Sequence, residues 1–150
     1  MLKEGDPLPR FVLKDQNGKD VGSADFAGKP LVVYFYPKDD TPGCTKEACS
    51  IRDSFQEFRK RGVAVVGISA DSSASHAKFV GKYSLPFTLL ADEDKGTIQA
   101  FGAWGEKSMY GKTYEGILRS TFVFGPDGKL KKVFPKVKPE GHAEEILACL

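Results

Sequence analysis

Cys44 stands between an apolar run, Leu31-Val32-Val33-Tyr34-Phe35-Tyr36, and a segment with helical periodicity, at the end of Pro37-Lys38-Asp39-Asp40-Thr41-Pro42-Gly43-Cys44. That order predicts a strand-to-helix junction with the cysteine in the first helical turn. Thr41 is a favoured N-cap type, and Pro42 suits the first helical position, where a missing N–H costs nothing. Thr41 is therefore expected to make the cap hydrogen bond. Cys44 then occupies the third helical position, among N–H groups that have no partner within the helix. Those groups and the positive end of the helix dipole favour thiolate over thiol, so nucleophilic or redox chemistry is expected there. A small buried core residue is the commoner fate of a lone cysteine. The Thr-Pro-Gly approach and a second cysteine, Cys49, five residues on favour the reactive assignment.

The remaining candidates narrow the chemistry. Three cysteines in a chain that starts Met-Leu-Lys-Glu-Gly-Asp, without a secretory core, argue against a static disulfide framework. His76 and His142 are isolated, and Cys-x-x-x-x-Cys without a second pair is not zinc-ligand spacing, so no metal is expected. Both histidines are expected to be exposed helix residues without a role. The Cys-x-x-Cys pair of disulfide oxidoreductases is absent. A net charge of +2 over 150 residues gives no reason to expect nucleic acid. The lysines from Lys129 to Lys138 are interrupted by Val133, Phe134 and Val137 and predict a solvated strand edge. No apolar run reaches membrane-spanning length. A cytoplasmic protein is expected, with a removed targeting peptide left open.

The elements that must position Cys44 follow from pattern. Phe11-Val12-Leu13 and the turn at Asn17-Gly18 predict an N-terminal β-hairpin. The run 31–36 predicts a central strand buried on both faces. Ala48, Ile51, Phe55 and Phe58 recur at three- and four-residue spacing and predict one amphipathic helix from Thr45 to Arg61, ended by Gly62. Val63 to Ser69 predicts a second buried strand, and strand–helix–strand implies a right-handed parallel crossover. A helix capped by Ser72 or Ser73 with Ala77, Phe79, Val80 and Tyr83 on its apolar face, a strand Thr88–Ala91 and a short helix Thr97–Phe101 follow. Residues 104–116 read as an irregular loop. Ile117–Phe124 and Lys129–Phe134 predict a hairpin around Pro126-Asp127-Gly128, and Pro139 is expected to open a last helix carrying Ala143, Ile146 and Leu147. The sum is one α/β domain over residues 1–150, with a mixed central sheet flanked by helices.

Pro37, Thr41 and Cys44 match the Pro-x-x-x-Thr-x-x-Cys motif, and in this the chain resembles the peroxiredoxins. Cys49 matches the resolving cysteine of the bacterioferritin-comigratory-protein or Q-type subfamily. The likeness extends over Phe26-Ala27-Gly28-Lys29-Pro30, Gly67-Ile68-Ser69, Ser84-Leu85-Pro86-Phe87 and Arg119-Ser120-Thr121-Phe122-Val123-Phe124. The resemblance implies a thioredoxin-like fold and a thiol peroxidase acting on hydrogen peroxide and organic hydroperoxides without cofactor, metal or haem. It also implies roles: Cys44 attacks the peroxide, Thr41 and Arg119 polarise it, and Pro37 shields the cysteine from water. Cys49 would close a disulfide with Cys44, recycled by thioredoxin or a similar dithiol, in a monomer or weak dimer. Arg119 is expected inside a buried strand, where a charge needs a partner. Glu47 could orient it through a bidentate bond, and Trp104 and Phe87 are candidate pocket walls or plain core aromatics. Cys149 matches no motif and reads as a bystander or a second resolving thiol. Two rivals stay open at this level: a disulfide-exchange protein using the same cysteine pair, and a non-catalytic chaperone or redox-sensing protein.

Overall fold

A computed structural model describes residues 1–150. The apolar run forms β3 (Leu31–Phe35), buried along its whole length in the interior of a seven-stranded mixed sheet. β4 (Ala64–Ser69) lies parallel to it on one side, and β8 (Ser120–Phe124) antiparallel on the other. Outward from β4 come β5 (Thr88–Ala91) and then the N-terminal hairpin, β1 (Val12–Asp15) and β2 (Asp20–Gly22). Its turn forms as expected, with Gly18 at φ 76° and the Asp15 carboxylate accepting the Asn17 and Lys19 N–H groups. β9 (Leu130–Phe134) is the opposite edge, and Lys131 and Lys132 are exposed on it, as the lysine pattern predicts.

Strand alternation divides the core in two. Val32, Tyr34 and Tyr36 face one side, where α1 (Pro42–Asp53), α2 (Phe55–Lys60), α3 (Ser73–Tyr83) and α5 (His142–Ala148) pack with Ile51, Phe58, Phe79 and Ile146. Leu31, Val33 and Phe35 face the other, which is closed by α4 (Gly96–Ala100) and by Phe101, Phe122 and Phe124. Cys44 belongs to the first side. Gly67 lies beside Tyr34 on β4: a Cβ there would sit 2.7 Å from Tyr34 Cζ and 2.9 Å from a Leu89 methyl, so glycine is what lets that ring lie against the sheet.

Four elements differ from the pattern reading. The helix begins at Pro42 as expected, but the apolar run carried through to Arg61 is two helices. Ser54 separates α1 from α2 and donates its N–H to Ile51 at 3.2 Å, a tightened turn at a residue that competes for backbone bonds. The segment 104–116 is no loop but a two-stranded ribbon, β6 (Trp104–Met109) paired with β7 (Lys112–Ile117). Its turn places Tyr110 and Gly111 at φ 53° and 78°, the primed geometry that matches strand twist. Ile117 therefore ends β7, and Arg119 lies between β7 and β8 rather than inside a strand. The last helix begins at His142, after Gly141 in the left-handed region, and not at Pro139.

Candidate active site

Pro42 occupies the first turn of α1 and Thr41 its N-cap position with extended backbone, which puts Cys44 where the sequence predicts. The first helical bond runs from Thr45 N–H to the Thr41 carbonyl, leaving the Gly43 and Cys44 N–H groups free of the helix ladder. Cys44 is 1% exposed, at the base of the site. Thr41 departs from expectation: its side chain makes no cap hydrogen bond, and its hydroxyl instead donates to the Lys38 carbonyl at 2.9 Å. Donating to the Lys38 carbonyl sets the orientation of this hydroxyl, and in that orientation its oxygen accepts no helix-end N–H. Pro37 is half-buried at the loop's start.

Arg119 reaches this site from the sheet. Its Nη2 donates to Cys44 Sγ at 3.3 Å, and its Nη1 to Glu47 Oε1 at 2.8 Å. Gly43 makes room for it, since a Cβ there would come within 3.1 Å of Nη2. Burial by itself would lower the guanidinium's pKa, but Cys44 and Glu47 together hold it above its ordinary value. The contact to Glu47 is a single hydrogen bond, not the bidentate one considered from sequence. Oε2 of this fully buried carboxylate has no partner, and burial outweighs the attraction of Arg119, pushing Glu47 up to about 7. Tyr34, beneath the site, also keeps a buried hydroxyl without a partner; burial, and after it the Glu47 charge, hold it in the neutral form. Lys107 donates to the Ile117 carbonyl at 2.8 Å, and burial followed by the Arg119 charge lowers its pKa.

The other candidates fall apart spatially. Phe87 packs in the core against Tyr34 and Phe55, and Trp104 sits on the ribbon beside Lys95, its indole N–H directed to Glu115. Cys49 is half-buried further along α1. Cys149, also half-buried, donates its thiol to the Ile146 carbonyl at 3.1 Å, and burial raises its pKa.

Both histidines overturn the expectation of exposed, idle residues: each is fully buried. His142 Nε2 meets Thr121 Oγ1 at 2.7 Å and Nδ1 meets Glu145 at 3.2 Å; burial lowers its pKa against the opposing pull of Glu145. His76 meets the Asp39 carboxylate at 2.7 Å and the Leu90 carbonyl at 3.0 Å. Asp39 also receives Tyr36 and Ser75 hydroxyls, while the next residue, Asp40, receives Lys82 and Tyr83. α3 thus grips the loop that leads to Cys44. The spacing of His76 three residues before Phe79 was the signal for its burial, because it puts both on one helical face.

The AhpC/TSA family model matches residues 5–133. Peroxiredoxin Bcp of Escherichia coli strain K12 is 49% identical over 149 residues, covering 99% of this chain and 96% of that protein. A putative peroxiredoxin Bcp of Coxiella burnetii is 45% identical, with 99% of each chain covered. Among solved structures, PrxQ of Xylella fastidiosa superposes with a TM-score of 0.93 at 35% identity, over 99% of this chain and 94% of that one. The bacterioferritin comigratory protein of Xanthomonas campestris gives 0.88 at 39% identity, over 95% and 96%. These neighbours share the thioredoxin-like arrangement of mixed sheet and flanking helices described above. With likeness at this level over nearly its whole length, the chain belongs to the AhpC/TSA family as a peroxiredoxin of the Bcp and PrxQ kind, a family of thiol-dependent peroxidases.

Proposed function

We propose that Cys44 is the peroxidatic cysteine of this peroxidase, acting on hydrogen peroxide and organic hydroperoxides. The observation that carries this is the 3.3 Å contact from Arg119 to Cys44 Sγ at a buried helix N-terminus. A thiolate there attacks the nearer peroxide oxygen. The O–O bond breaks, the OH group stays on sulfur as a sulfenic acid, and the alkoxide that leaves takes a proton from solvent. Arg119 and the Cys44 N–H are aimed where negative charge develops, usually the largest contribution to such catalysis, and the Thr41 hydroxyl holds the peroxide. Pro37 limits access of water. The alkyl peroxide reduction for which the X. campestris relative is described supports organic hydroperoxides as substrates.

Cys49 then condenses with the sulfenic acid, forming the S–S bond and releasing water, and an external dithiol such as thioredoxin reduces the disulfide. Five residues of α-helix separate the two Cα atoms by roughly 8–9 Å, with side chains about 140° apart. A disulfide needs Cα atoms about 4.4–6.8 Å apart, so α1 must unwind for the bond to close. Cys149, whose thiol pKa is raised by burial and whose hydrogen goes to the Ile146 carbonyl, is assigned no step. No helix is long and apolar enough to cross a membrane. One catalytic domain over residues 1–150, acting in the cytoplasm as a monomer or weak dimer, completes the proposal. The test is peroxide-dependent NADPH oxidation with thioredoxin and its reductase. Cys44→Ser should fold and show no turnover; substantial turnover by the folded variant removes Cys44 from its role.

A further inference from the structure

The peptide unit between Lys38 and Asp39 is held at both ends. Its N–H, on Asp39, donates to Asp71 Oδ2 at 2.9 Å, and its carbonyl, on Lys38, accepts the Thr41 hydroxyl at 2.9 Å. A peptide is planar, so rotating it moves both bonds together. Asp71 is itself fixed: its Oδ2 accepts the hydroxyl of the buried Ser69 at 2.7 Å, and its own N–H bonds back to Ser69 Oγ at 3.2 Å.

The adjoining Asp39 side chain prevents the loop from sliding. Its carboxylate, almost fully buried, receives Tyr36 at 2.6 Å, Ser75 at 2.8 Å and His76 Nδ1 at 2.7 Å. The other His76 nitrogen faces the Leu90 carbonyl at 3.0 Å. A carbonyl only accepts, so that nitrogen is the donor there. The loop is therefore fastened directly to Tyr36, Asp71 and α3, and through Asp71 and His76 to β4 and β5.

We propose that Asp71 is a positioning residue for Thr41: by fixing the Lys38–Asp39 peptide plane it directs the Thr41 hydroxyl away from the helix end. That hydroxyl spends its one proton on Lys38, so it offers lone pairs to a hydroperoxide's O–H. Without Asp71 the plane turns, the Lys38 carbonyl rotates toward solvent, and Thr41 is released to cap α1 as its residue type prefers. A capping Thr41 would occupy the Cys44 N–H, one of the donors meant for the peroxide. The inference rests on the proposed role of Thr41, and the test separates the two.

Stopped-flow oxidation of Cys44 by hydrogen peroxide, with alkylation of Cys44 by iodoacetamide as the control, is measured on the full chain for Asp71→Ala, Asp71→Asn, Thr41→Val and the Asp71→Ala/Thr41→Val double variant. Asp71→Ala should be about tenfold slower with peroxide, the scale of one misdirected hydrogen bond, and unchanged in alkylation. Asp71→Asn should stay within about twofold of the parent, because its amide oxygen still accepts from Asp39 and Ser69. The double variant should be no slower than Thr41→Val. If Asp71→Ala does not fold, Asp71→Ser, too short to reach the Asp39 N–H, should show the same loss. Parent-like peroxide rates in Asp71→Ala (or Asp71→Ser), an equal loss in alkylation, or losses that multiply in the double variant overturn the positioning and leave Thr41 in place. A parent-like Thr41→Val overturns the role of Thr41, and this proposal with it.

Discussion

Arg119 joins a thiol and a carboxylate that would otherwise be two separate buried groups. Arg119→Met keeps much of the apolar stem but removes the donor at the reacting sulfur. The expected loss is about 3–4 kcal/mol of barrier, roughly a hundred- to a thousandfold in the rate of Cys44 oxidation, with a much smaller change in stability. Stopped-flow rates within twofold of the parent would place it outside the site. Glu47 gives a pH-dependent counterpart. Its folded-state pKa is raised to about 7, so between the ordinary carboxylate range and pH 7 the folded state holds a proton that the unfolded state has lost. Its contribution is complete below about 4.5 and is lost as pH rises through about 7. Glu47→Gln, always neutral, should therefore gain stability relative to the parent at pH 8 but not at pH 4.5, in denaturation at both values. Cys44 was legible because its chemistry comes from sequence neighbours. The arrangement of Glu47 was legible only as an option, because burial of a carboxylate is decided by Tyr34 and Arg119, distant along the chain.

At the scale of elements, the reactive cysteine sits on a helix that the proposed disulfide must partly dismantle. Oxidation should lower helix content and speed amide exchange across residues 41–52, read by hydrogen–deuterium exchange with mass spectrometry. Linkage of Cys44 to Cys149, or unchanged exchange in that segment, would remove Cys49 from the resolving role. The limits of sequence legibility are instructive at this scale. β3 and β4 were legible because they are buried on both faces and carry unbroken apolar runs. The β6–β7 ribbon was not, because its residues are largely exposed, with Tyr110 and Met109 at the tip, so no alternation marks its faces. The break at Ser54 was hidden because Ile51, Phe55 and Phe58 keep helical spacing across it.

The molecule as a whole rests on one sheet with apolar layers on both sides, and the site draws on one layer only. Phe122 anchors the other: it is fully buried, with the rings of Phe35 and Phe101 centred 5.7 and 5.2 Å away. Phe122→Ala should cost about 3–5 kcal/mol in chemical denaturation. Its remaining folded fraction should keep Cys44 reactive, because the Cys44 layer lies across β3. Fold class and the parallel crossover were legible from the order of apolar runs. The two-sided division of the core became visible only once β3 was paired on both edges, since alternation within an entirely apolar strand leaves no mark on the sequence.

The interruption at Ser54 bears on endurance. The proposed disulfide would open α1 in every cycle, and such an opening risks spreading into the core. Here α1 ends where the ladder is already weak, and the short α2 beyond it is anchored separately by the fully buried Phe58, with Val63 N–H bonded to the Phe58 carbonyl. Opening can thus stop at a seam. If α1 opens in each cycle, as the proposed disulfide requires, such a stop would keep the disturbance within a segment of twelve residues. The number of cycles a molecule survives would then not be set by its rate of global unfolding.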